Sequence, residues 1–111
     1  DYYASRGLGD VYKRQDTLFD KDALVFEDGQ LPSVGLVDAD KKPFVTLTCT
    51  DFPYVGIWSK PDGPYVCLEP WIGRTDNMDF TGDLSEKPGE QKLIANAETV
   101  HTYTIEFHSS I

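Results

Sequence analysis

A strict period of two is what most limits the folds open to this chain. In residues 43–50, Val45, Leu47 and Cys49 alternate with Thr46, Thr48 and Thr50. Successive strand side chains point to opposite faces, so this run predicts a strand with one apolar face. An amphipathic helix would repeat apolar residues three and four apart, and no segment holds that period convincingly.

The rest of the chain keeps to the same pattern. Residues 23–27 read as a short strand closed by the turn pair Asp28-Gly29. Residues 33–38 form a weaker strand, with Ala39-Asp40-Lys41-Lys42 as its turn. Residues 55–58 and 65–69 are two more, joined by Pro61-Asp62-Gly63-Pro64, which consists of turn formers only. Residues 92–95 add a short strand. Residues 100–108 add a last one, with Tyr103, Ile105 and Phe107 inward and Thr102, Thr104 and Glu106 outward. Residues 16–24 fit one helical turn capped by Asp16. The irregular stretch 72–90 is long for a connection and suggests a functional loop. Short strands at regular spacing predict an all-β fold, an antiparallel sandwich or barrel.

Composition removes several function classes. At 111 residues with 40% apolar and 13% aromatic content, the chain can build one small core. Asp and Glu number 19 against 10 Lys and Arg, a net charge of -9. That balance argues against nucleic acid or an anionic membrane as partner. No apolar run is long enough to span a bilayer, and no signal-peptide core is visible, which points to the cytoplasm. Cys49 and Cys67 fall in predicted strands and fit buried free thiols better than a disulfide.

Residues 1–15 look foreign. Their pattern does not continue past residue 15, and they hold Arg6, Lys13 and Arg14. Residues 10–15 resemble the translation of a sequencing adapter. The expectation is that the authentic chain begins near Asp16, leaving 16–111 as the domain.

The chemistry centres on Pro64-Tyr65-Val66-Cys67-Leu68-Glu69-Pro70-Trp71. Alternation puts Tyr65, Cys67, Glu69 and Trp71 on one face, with Val66 and Leu68 on the other. The preceding strand brings Tyr54, Gly56 and Trp58 to one side, and a hairpin would make Trp58 and Tyr65 neighbours. Aromatic rings beside a carboxylate suit a sugar: rings cover C–H faces and the carboxylate takes hydroxyl protons. The same residues also suit a core with a satisfied structural carboxylate. Arg74 and Asp76 can pair with each other or with Glu69, or form a solvated loop pair. Asp22 can bond a sugar hydroxyl or cap a turn. His101 and His108 have no carboxylate or cysteine at metal-ligand spacing, so no metal site is expected.

Three segments occur in order: Phe19-Asp20-Lys21-Asp22-Ala23-Leu24, Asp51-Phe52-Pro53-Tyr54-Val55-Gly56-Ile57-Trp58 and Val66-Cys67-Leu68-Glu69-Pro70-Trp71-Ile72-Gly73. Together they resemble the C-terminal part of the aldose 1-epimerase (galactose mutarotase-like) family, in its bacterial hexose mutarotase-like branch. The resemblance spans about residues 16–108. It implies an incomplete C-terminal part of a large antiparallel β-sandwich. It also implies a free hexose as substrate and acid–base ring opening between α and β anomers, without metal or organic cofactor. Glu69 takes the position of the family's glutamate base, and Asp22, Trp58, Trp71 and Arg74, singled out from the residues themselves, are the candidate sugar contacts. The family's histidine acid and substrate arginine lie in an N-terminal half, and neither His101 nor His108 matches that motif. The implied fragment is inactive alone and marginally folded. A carbohydrate-binding sandwich without chemistry is the alternative.

Sequencing the native locus checks the N-terminal reading. The frame upstream of Asp16 should depart from residues 1–15; a continuous frame encoding them contradicts it.

Overall fold

A computed structural model of the chain describes the backbone of residues 3–6 and 10–13, and residues 17–109 in full. The described residues form eight strands: β1 (Tyr3–Arg6), β2 (Asp10–Lys13), β3 (Leu24–Phe26), β4 (Ser33–Val37), β5 (Pro43–Thr48), β6 (Tyr54–Trp58), β7 (Cys67–Trp71) and β8 (Thr104–Phe107). One 3-10 turn, Leu84–Glu86, is the sole helical element among them. Of the segment 1–15, only β1 and β2 are described, and its foreign origin stands as a proposal. Asp16, the expected cap, lies outside the described residues. Residues 17–22 make successive turns, with Asp20 N–H on Thr17 O and Asp22 N–H on Phe19 O, and no helix.

The strands divide into two antiparallel sheets, with orders β2-β1-β4-β5-β8 and β3-β6-β7. The chain passes repeatedly from one sheet to the other, which yields an all-β, sandwich-like fold. Its core draws on both: Val34 and Leu47 from the larger sheet, Val55 and Ile57 from the smaller. Phe19, Leu31, Cys49 and Phe52 close it from the connecting segments. Alternation explains the membership. Leu47 and Cys49 are buried while Thr48 and Thr50 are exposed.

Turn chemistry is where the sequence places it, with one difference in use. Asp28 and Gly29 both have positive φ (57° and 64°), and Gln30 N–H donates to Glu27 O at 3.1 Å. That is the geometry of a primed turn. Yet it does not close a hairpin: β3 pairs with β6, and Gly29 N–H donates to Pro53 O. The turn redirects the chain to the other sheet. Between β4 and β5, Asp38 Oδ1 accepts from the N–H groups of Asp40 and Lys42, both at 2.9 Å. That fixes the expected turn.

Three expectations are corrected. Residues 92–95 form no strand; Ala97 N–H donates to Ile94 O across a simple turn. The last strand is only Thr104–Phe107, so His101 precedes it. Tyr103, Ile105 and Phe107 are not buried; they are 53%, 48% and 77% exposed, with the Tyr103 ring edge-on to core Phe52 at 6.2 Å. The parity is sound, since Ile105 stands opposite Leu47 and Phe107 opposite Val45. That face of β8 is left uncovered among the described residues.

Both cysteines are free, Cys49 fully buried and Cys67 half-buried. Burial raises the Cys49 thiol above its ordinary value of 9.0. The unfolded chain therefore releases this proton at a pH where the folded chain holds it, and stability falls as pH rises past about 9. The urea midpoint should fall more steeply above that pH than in Cys49→Ala; equal slopes contradict the buried neutral thiol. At neutral pH, Ile57→Ala should cost about 3 kcal/mol of unfolding free energy. A loss below about 1 kcal/mol would place Ile57 outside the core.

Candidate functional site

The β6–β7 hairpin builds the site. The strands are joined by residues 59–66, within which Gly63 N–H donates to Lys60 O at 2.9 Å and Asp62 takes a φ of 62°; β7 begins at Cys67, two residues later than the expected strand 65–69. The register sets Trp58 opposite Cys67, Gly56 opposite Glu69 and Tyr54 opposite Trp71. Directly opposed residues share a face. The alternate pairs, Ile57 with Leu68 and Val55 with Pro70, face the core. Pro70 sits in an edge strand, where a missing N–H is tolerated, and the pairing runs through it to Trp71. On the far side of β6, Val25 stands opposite Gly56. Val25, Gly56 and Glu69 thus form one row across the outer face of the smaller sheet.

Above that row lies an open depression of about 780 Å³. Asp22, Val25 and Glu27 line it from β3 and its flanks, Trp58, Glu69 and Trp71 from the hairpin, and residues 73–78 from the loop after β7. The five residues singled out from sequence, Asp22, Trp58, Glu69, Trp71 and Arg74, all line this one depression. Its size falls within the range of small-ligand sites.

Glu69 is half-buried, and its Oε2 accepts the indole N–H of Trp71 at 3.1 Å. Trp58 and Tyr65 are neighbours as expected, ring centroids 6.3 Å apart and tilted by 57°. Asp22 holds a φ of 83°, a region that non-glycine residues seldom adopt, and its Oδ1 accepts from Ala23 N–H.

Arg74 pairs with neither Asp76 nor Glu69. Its Nε lies 3.6 Å from Glu27 Oε1, and Nη1 donates to Asn77 Oδ1 at 2.9 Å and to Thr75 O at 3.0 Å. Its guanidinium lies 5.8 Å from the Tyr54 ring centroid. Asp76 instead pairs with Lys87 at 3.5 Å, across the same loop. These contacts hold the loop start against the sheet. Sequence reasoning missed Glu27, Asn77 and Tyr54 as partners of Arg74. Glu27 gives no sign of that role because the β3–β6 pairing joins segments far apart in the chain. Val25 has a signal, being the outward position between Leu24 and Phe26.

The histidines lie elsewhere. His108 Nε2 is 2.8 Å from Thr46 Oγ1, and its Nδ1 is 3.2 Å from Glu106. His101 lies near the Phe52 ring and Thr99. Neither lines the depression.

The depression therefore offers four carboxylates, Asp22, Glu27, Glu69 and Asp76, one engaged guanidinium and two indoles. Such a lining can accept hydroxyl protons and cover apolar ring faces.

Two curated proteins resemble this chain distantly: the plasmid and chromosomal forms of Protein LacX from Lactococcus lactis subsp. lactis. Each is 27% identical over 90 residues, covering 80% of this chain and 30% of the relative. The chain thus spans under a third of the length of the curated relatives it matches. No family model and no solved structure matches it.

If the contacts of Arg74 hold the loop, Arg74→Ala should loosen residues 73–78 without unfolding the sheets. Amide hydrogen exchange should speed up there at least about tenfold, which corresponds to about 1.4 kcal/mol of local opening. Unchanged exchange would remove Arg74 as the loop's anchor.

Proposed function

We propose that this chain is the C-terminal part of an aldose 1-epimerase-like protein, with Glu69 as the general base acting on a free hexose. The observation that carries the reading is the half-buried Glu69 carboxylate on the outer sheet face, between indoles that line the same depression. The order of the three motifs supports it. The likeness to the LacX proteins supports a distant relation and nothing finer.

In this reading the ring lies over the outer sheet face with Trp58 against its C–H side. Glu69 takes the proton of the anomeric hydroxyl as the ring C–O bond opens, and an acid protonates the ring oxygen. The aldehyde turns about C1–C2 and closes from its other face, returning the proton. A base of this kind must be ionised and within hydrogen-bond reach of the hydroxyl. Asp22 and Arg74 border the depression as further hydroxyl partners. By the family resemblance the acid is a histidine from an N-terminal part of the longer protein; neither His101 nor His108 lines the depression.

The lack of a histidine in the depression favours a second reading for the chain by itself, a sugar-binding surface without chemistry. Polarimetry of freshly dissolved α-D-glucose or α-D-galactose separates the two. This chain alone should not exceed the buffer rate. A longer protein containing it should, and Glu69→Gln should lower that rate by at least about a hundredfold while sugar binding persists. Unchanged turnover in Glu69→Gln removes Glu69 from catalysis. Binding without turnover in the longer protein selects the second reading.

A further inference from the structure

The sequence makes Trp71 a candidate sugar contact. Its geometry gives it another task. The indole lies across Gly56, so that a β-carbon there would overlap Cζ2 and come within 2.9 Å of Cη2 and 3.0 Å of Cε2. Gly56 is buried and stands opposite Glu69 in the register. From that seat the indole N–H reaches Glu69 Oε2 at 3.1 Å. Tyr54, the residue opposite Trp71, lies under the Arg74 guanidinium.

We infer that Gly56 and Trp71 form a built support that positions the Glu69 carboxylate: the glycine makes room for the indole, and the indole N–H fixes one carboxylate oxygen. That bond engages Oε2 and leaves Oε1 to a ligand. Trp71 is thus a positioning residue, and Trp58 is the indole left to cover a sugar ring. The inference rests on reading Glu69 as the working carboxylate, though its geometry stands apart from any reaction.

A carboxylate two residues away on the same strand face shares its side with the indole, so no third element is needed to hold it. A hydrogen bond to an ionised acceptor is stronger than one between neutral groups. An alanine at position 56 would collide with the far end of a side chain rather than with backbone. The fold can absorb that by swinging Trp71 outward, at the expense of its bond to Glu69.

Two indole N–H cross-peaks are expected in the nitrogen-15 correlation spectrum, and Trp58→Phe identifies which belongs to Trp71. Glu69→Gln should move the Trp71 peak by several line widths and leave the Trp58 peak in place. Gly56→Ala should displace the Trp71 peak and speed its solvent exchange several-fold. A Trp71 peak unmoved in folded Glu69→Gln overturns the inference. If either variant does not fold, Trp71→Phe is read from the Glu69 side-chain carboxyl carbon. Its resonance should shift, and an unmoved resonance overturns the inference equally. None of these readouts needs turnover, so displaced peaks beside a failed polarimetry result would uphold the support while rejecting the reaction. In an active longer protein, Trp71→Phe should lower kcat roughly tenfold to a hundredfold with KM little changed. A raised KM at constant kcat would make Trp71 a sugar contact instead.

Discussion

Register in the β6–β7 hairpin is the constraint on which the rest depends. It puts Gly56 beside Glu69 and Tyr54 beside Trp71 on the outer face, and Val55, Ile57 and Leu68 toward the core. A slip of β7 by one residue would turn Glu69 and Trp71 inward and Leu68 outward. It would bury the carboxylate and expose an apolar side chain. Burial of Val55 and Ile57 on one face therefore holds the candidate site in place on the other.

Much of this is legible in the sequence because it is local. Turn formers at 61–64 and two alternating runs are enough to infer the hairpin, its shared face and the closeness of Trp58 to Tyr65. The remainder depends on which distant segments meet. Asp28-Gly29 announces a turn, but not that β3 will pair with β6 rather than with the next strand. Without that pairing, Glu27 gives no sign of its ion pair with Arg74. The last strand shows the same limit. Its alternation correctly groups Ile105 with Phe107, while their exposure depends on which other elements cover that face.

That exposed strip is a physical feature of its own. On the last strand Ile105 and Phe107 are 48% and 77% exposed, and β8 is an edge strand. Apolar side chains along a sheet edge are a site where further strands or another molecule can pair. The proposal of a longer parent sandwich accounts for such a strip, and the LacX proteins are long enough that the match covers 30% of them. The depression is separate from this edge. It rests on the smaller sheet, whose inner face is already closed by the core.

The outer face of the smaller sheet is proposed to receive a sugar beside Glu69. Saturation-transfer difference NMR on this chain with D-galactose and D-glucose tests it most directly, because the method reads millimolar binding and needs no turnover. The expected result is transfer to the C–H protons of one hexose face, strongly reduced in Trp58→Ala. No transfer to either sugar, or transfer that Trp58→Ala leaves unchanged, would contradict it.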